Sequence, residues 1–235
     1  MKARFLLIVV LLTLLSGCAS TPTFYSYVDS ISAPEAKDKK TYVLFPGNKD
    51  TSPDDLQYIE YKNYIINALN YNGFIIANDF ENADVAIFLG YGIGDPQTEQ
   101  YSYSVPTWGQ TGVSSATTYG TLNTFGSTST YSGTTTYTPT YGITGSTTHI
   151  GTRTTFFRFL KLTAYDVDEY KRTEKLKQVW QTTVTSSGSS GDLRQVLPIL
   201  AAASSPYLGT NTGKKLAVDL KENDPSVIKI KGITK

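Results

Sequence analysis

The sequence predicts a mixed α/β (α+β) domain: a single sheet with two helices packed on it, interrupted by a Thr/Tyr-rich β-hairpin-like insert. Three observations carry that expectation. Short apolar runs bounded by turn residues, such as 41–45 and 85–89, have strand length and β-branched or aromatic content. Two longer segments repeat apolar residues at helical spacing. Between Gln100 and Thr152 there is no Asp, Glu, Lys or Arg, while Thr, Ser, Gly and Tyr dominate.

In order along the chain, residues 20–23 read as a polar leash and 24–31 as an alternating strand. Ala33-Pro34 and the charged residues 35–40 form a connection. Residues 41–45 are a compact apolar strand ended by Pro46-Gly47. Ser52-Pro53-Asp54-Asp55 is a helix start: Ser52 caps free amides, Pro53 suits the first helical position, and the acids favour the positive end of the dipole. Tyr58, Ile59, Tyr61, Ile65, Ile66 and Leu69 give that helix its apolar face, and Asn72-Gly73 stops it. Two strands follow at 74–77 and 85–89. After the insert come strands at 156–165 and 178–185, a loop at 186–191, and a helix over 192–203 striped by Leu193, Val196, Leu197 and Leu200. Pro198 should kink that helix or delay its start. Residues 214–220 and 227–230 alternate like short late strands. Strands separated by two helices suggest one sheet with helices on a face.

Lys2 and Arg4 precede an apolar run, 5–15, that closes on Leu15-Ser16-Gly17-Cys18. This stretch resembles the lipobox of a bacterial lipoprotein signal peptide. The run is too short to cross a bilayer comfortably, since a spanning helix wants about 20 apolar residues. The resemblance implies removal of residues 1–17 and acylation of Cys18, so that membrane lipid holds the chain. Ala19, where inner-membrane lipoproteins of many Gram-negative bacteria carry Asp, favours the outer membrane. The expected organisation is then 1–17 signal peptide, 18–38 lipidated N-terminus, leash and first strand, 39–99 first half of the domain, 100–152 insert, and 153–235 second half.

Removing Lys2 and Arg4 takes the formal net charge from +1 to −1. A near-neutral chain gives no electrostatic reason to expect nucleic acid as partner. Cys18 is the only cysteine, so once acylated it leaves no thiol for a disulfide or a thiolate metal site.

A strand before a helix with an Asn72-Gly73 end, then Ala83-Asp84-Val85-Ala86-Ile87-Phe88, then Leu162-Thr163-Ala164-Tyr165-Asp166 ahead of a charged turn and Val179-Trp180, form an ordered pattern. In this, residues 39–94 and 155–232 resemble the bacterial lipoprotein family catalogued as domain of unknown function 4136. The resemblance implies a small periplasm-facing α/β domain on a lipid anchor and no agreed activity. The insert is no part of that pattern.

Within the insert, Val113, Tyr119, Phe125, Tyr131, Tyr137, Tyr141 and Ile143 all fall at odd positions, several of them six apart. On one extended strand that spacing places them on a single face. Gly126 or Ser132-Gly133 would supply turns. The expected roles are packing of the aromatic face on the domain, self-association or contact with envelope proteins through free strand edges, and insertion as a membrane hairpin, in that order.

No catalytic residue, metal ligand or cofactor site is expected. His149 is the only histidine and has no nucleophile elbow to serve. Gly90-Tyr91-Gly92-Ile93-Gly94 has its third glycine one position early for a dinucleotide loop, and Gly209 to Lys215 is one residue short of a phosphate loop. Asp166, Asp168 and Glu169 read as a solvated turn rather than a calcium site. Tyr101, Tyr103 and Trp108 are the candidate stacking residues for a sugar ligand. The function expected is that of a non-enzymatic, lipid-anchored envelope protein acting through protein contacts. The alternatives are a polysaccharide- or ligand-binding module and an oligomeric pore component.

Overall fold

A computed structural model describes residues 21–233. The expectations for Leu15, Ser16, Gly17 and Cys18 lie outside the described residues. The chain divides into two units, a body formed by the segments up to Gln97 and from Thr154 onward, and a ribbon, Thr98–Arg153.

The body is mixed α/β, with one open sheet and, among the described residues, four α-helices. The strands of the two units together are β1 (Thr23–Ser32), β2 (Thr41–Pro46), β3 (Ile75–Ile76), β4 (Val85–Ile93), β5 (Gln97–Phe125), β6 (Thr128–Asp166), β7 (Gln178–Gly188) and β8 (Leu216–Lys221). The last third of β6 lies in the body, whose sheet order is β3-β2-β4-β6-β7-β1-β8. β2 runs parallel to β3 and β4, and the remaining neighbours are antiparallel.

Period-two alternation decides which side chains face inward. Leu160, Leu162 and Ala164 of β6, Ile87 and Leu89 of β4, and Trp180 and Val184 of β7 enter one core, and a register shift in the β6–β7 ladder lets the adjacent Val179 join them. Three helices cover that face: α1 (Leu56–Tyr71), α3 (Leu193–Ser204) and α4 (Pro225–Ile230). Tyr58, Tyr61, Ile65, Ala68 and Leu69 are the buried side of α1. Burial pushes the pKa of the Tyr42 hydroxyl, beneath this helix layer, up to about 12.

Three expectations are corrected. α1 starts after Asp55 rather than Ser52. Residues 52–55 close as a turn, with the Asp55 amide donating to the Ser52 carbonyl at 3.1 Å. The Asp55 carboxylate, a charged acceptor, then takes the Gln57 and Tyr58 amides at 2.8 and 3.0 Å. α3 runs through Pro198 without a break. Proline there forfeits only the bond to the Arg194 carbonyl, and burial of its ring among Val196, Leu197, Ile199 and Leu200 offsets the loss. Residues 227–230 are helical, not a strand. Asp224 caps the Ser226 amide at 3.0 Å and Pro225 occupies the first turn, which overrides the alternation of so short a segment. The body therefore carries more than the two helices expected, with α2 (Val167–Thr173) as a fourth.

Candidate functional site

The ribbon is a two-stranded antiparallel hairpin made of β5 and the first part of β6. Gly126-Ser127 is its turn, with Gly126 at φ +62° and Ser127 at negative φ, the pattern of a type II′ turn with glycine first. Ser132-Gly133 lies within β6 instead. β5 has 29 residues, which at about 3.4 Å per residue gives a strand of roughly 90–100 Å.

All the ribbon's aromatic side chains are exposed, with Tyr119 at 75%, Tyr137 at 62% and Phe125 at 94%. Within the ribbon, Thr and Ser around these rings offer too little apolar surface to bury them. Besides the backbone ladder, short polar side-chain contacts join the two strands. Thr118 and Thr135 share a hydroxyl bond at 2.8 Å, Thr124 and Ser129 one at 3.0 Å, and Ser115 donates to Thr138 at 3.1 Å. Rings also lie over glycines. The Tyr131 ring covers Gly120, and a side chain at Gly151 would meet the Tyr101 ring at 2.8 Å.

These contacts fix the faces. Side chains that touch across a ladder share a face, so Thr118, Thr124 and Gly120 lie with Thr135, Ser129 and Tyr131. Tyr119 and Phe125 therefore point opposite to Tyr131 and Tyr137. The single aromatic face expected from odd numbering is split in two, because a two-residue turn pairs odd positions of one strand with even positions of the other. At the inner end odd meets odd, since Tyr103 stacks on His149 at 5.6 Å. The ladder slips by one residue between these regions, as a β-bulge produces.

Of the sequence-predicted stacking residues, Tyr101 and Tyr103 come together with ring centroids 6.0 Å apart. Among the described residues no ring pairing joins Trp108 to them, and Trp108 is 71% exposed. His149 sits in mid-strand as the third ring of this row.

The body has a second candidate surface that sequence reasoning missed. The outward side chains of β2, β4 and β6 line an apolar groove of about 630 Å³, with Phe45, Phe80, Phe88, Tyr165, Tyr170 and Leu176 as its main walls. Phe88 lies 5.7 Å from both the Phe45 and the Tyr165 ring. The signal was present: 42–45 and 85–89 are apolar or aromatic at every position, the mark of strands covered on both faces. At the groove's end Asp166 caps α2, accepting the Glu169 amide at 3.1 Å and the Lys39 ammonium at 3.3 Å. Burial raises its carboxyl pKa, but the Glu169 amide and Lys39 outweigh that and hold it below the ordinary value. The solvated turn expected at Asp166, Asp168 and Glu169 is thus a capped helix over a buried carboxylate.

The remaining motifs are structural. Gly90, Gly92 and Gly94 lie on or just after β4, where Gly92 admits the Phe159 ring and the Gly94 amide bonds the Phe157 carbonyl at 2.8 Å. The Gly209–Gly213 turn hands its Thr212 amide to the Ser30 carbonyl at 2.9 Å. Among the described residues no three His, Cys, Asp or Glu side chains are grouped to hold a metal ion, and no helix is long and apolar enough to cross a membrane.

No family model matches the chain, and no curated protein matches it. Among solved structures it is similar to a PDZ domain protein from Parabacteroides distasonis ATCC 8503, at 11% identity and a TM-score of 0.36, over 86% of this chain. The match spans 40% of that protein, and a likeness of this degree carries no functional argument.

Proposed function

We propose that this chain is a lipid-anchored, non-enzymatic protein of the bacterial outer membrane that acts through protein contacts in assembling or supporting an envelope structure. The observation that carries the reading is the ribbon: a long hairpin, uncharged from Gln100 to Thr152, that leaves its aromatic rings and both strand edges to solvent. Such a surface costs solubility and edge protection, and a binding partner is what offsets that cost. The Leu15-Ser16-Gly17-Cys18 motif supports the anchor, and the resemblance to domain of unknown function 4136 agrees with it.

Radiolabelled palmitate fed to cells should enter the protein and be absent from a Cys18→Ser variant. An unlabelled wild-type chain would refute the anchored reading. A second reading, binding of envelope polysaccharide, has the Tyr101–Tyr103–His149 row in its favour. It ranks lower because Trp108, the largest of the three candidates, stands apart from that row.

A further inference from the structure

We infer that the ribbon's partner is a second copy of this chain, joined edge to edge, with β5 of one ribbon against β6 of the next. The inference rests on the anchored, contact-making reading above and names the partner.

Among the described residues β5 pairs with β6 alone. The far side of each ribbon strand therefore presents a row of backbone donors and acceptors. Natural edges are guarded by charged side chains, by proline or by a covering element. Pro106 and Pro139 are the only prolines in the ribbon; Pro106 interrupts β5 toward its inner end and Pro139 interrupts β6 about midway along the ribbon. Beyond them, 107–125 on β5 and 128–138 on β6 contain neither proline nor any charged residue. The unguarded edges thus face outward from the same stretch of ribbon, one on each side.

An identical ribbon suits these edges. With no charge on either strand, two copies bring no like-charge repulsion, and Thr, Tyr and Val favour the pleated conformation. Copies tethered to one membrane share an orientation, so their ribbons point the same way. β5 runs toward the turn and β6 away from it, so β5 beside a neighbour's β6 makes an antiparallel ladder, whereas β5 beside β5 would be parallel. Antiparallel pairing is the stronger and needs no crossover. This contact is head to tail and leaves one free edge at each end of the assembly, so it propagates until a ring closes.

The shorter unguarded edge, 128–138, limits a single contact to roughly 37 Å of a sheet about 10 Å thick. One contact then covers on the order of 400 Å² per partner, less than a stable complex needs by itself. A ring gives every copy two such contacts.

The test uses two full-length, differently tagged chains expressed together in cells, one carrying Thr117→Cys on β5 and the other Thr136→Cys on β6. Cys18 is the only native cysteine, and the wild-type pair controls for it. A short bismaleimide should give a cross-tag adduct in excess of either like-with-like adduct. Thr117→Lys with Thr136→Lys in one chain should reduce the detergent-solubilised complex to a single chain while the body's circular dichroism is unchanged. Absence of the cross-tag adduct, or like-with-like adducts in equal yield, overturns the inference. If labelled palmitate still enters the protein and the ribbon still cross-links other proteins, the proposed function survives that failure.

Discussion

Thr118 and Thr135 share a hydroxyl hydrogen bond of 2.8 Å across the ribbon, which puts an even position of β5 on the same face as an odd position of β6. Each face of the outer ribbon consequently carries its own aromatics: Tyr119 and Phe125 on one, Tyr131 and Tyr137 on the other. Neither face is apolar throughout. A lipid-facing strand would need one face that is, so protein contact suits this ribbon better than bilayer.

Tyr131 lies over Gly120, shielding backbone that has no side chain of its own. Tyr131→Ser removes that cover. Cross-strand pairs of this kind are worth about 0.5–1 kcal/mol. Hydrogen exchange of amides around Gly120 should therefore quicken by about two- to fivefold, with body amides unaffected. Unchanged exchange near Gly120 would show that the ring contributes nothing to the ladder.

The buried hydrophobic core draws on no residue between Thr98 and Arg153. Gln97 and Thr155 are meanwhile joined by a 3.5 Å hydrogen bond, close enough for a short turn to bridge the gap. Replacing Thr98–Arg153 by a Gly-Asn-Gly linker should leave a cooperative unfolding transition with a Tm within about 4 °C of the full chain, a shift equivalent to less than about 1 kcal/mol. A molten or non-cooperative product would mean that the ribbon contributes to folding of the body.

Asp166 is a charged cap whose folded pKa lies below its unfolded value. Its stabilisation is fully present above the unfolded carboxyl value of about 3.9 and is lost as pH falls through the folded one. Asp166→Ala should cost about 1–2 kcal/mol near neutral pH. The gap between variant and wild type should narrow below about pH 4, where the wild-type carboxyl also takes up a proton. Urea titrations at neutral and acidic pH measure this, and a gap that widened on acidification would contradict the assignment.

The sheet of the body was legible because its strands are short apolar runs between strong turn signals, as at Thr41 and Val85, and α1 because its periodicity is long. Boundaries were lost where two caps compete, as Ser52 and Asp55 do. The last helix was lost where the alternation of Val227 and Lys229 masked the stronger Asp224-Pro225 start. The ribbon's faces could not be read at all from spacing. Whether Tyr119 and Tyr131 share a face depends on the number of residues in the turn between them, a property of pairing rather than of either strand. The groove was signalled by doubly apolar strands, but its walls include Phe80, Tyr170 and Leu176, which only the folded chain brings to β4 and β6.

The most direct measurement places a photo-activatable amino acid in the full-length protein at Tyr119, at Tyr137 and, as a control, at exposed Asn63 on α1, with illumination of intact cells. The account predicts higher-mass protein adducts from both ribbon positions and none from Asn63. Adducts from Asn63 alone, or from no position, would contradict it.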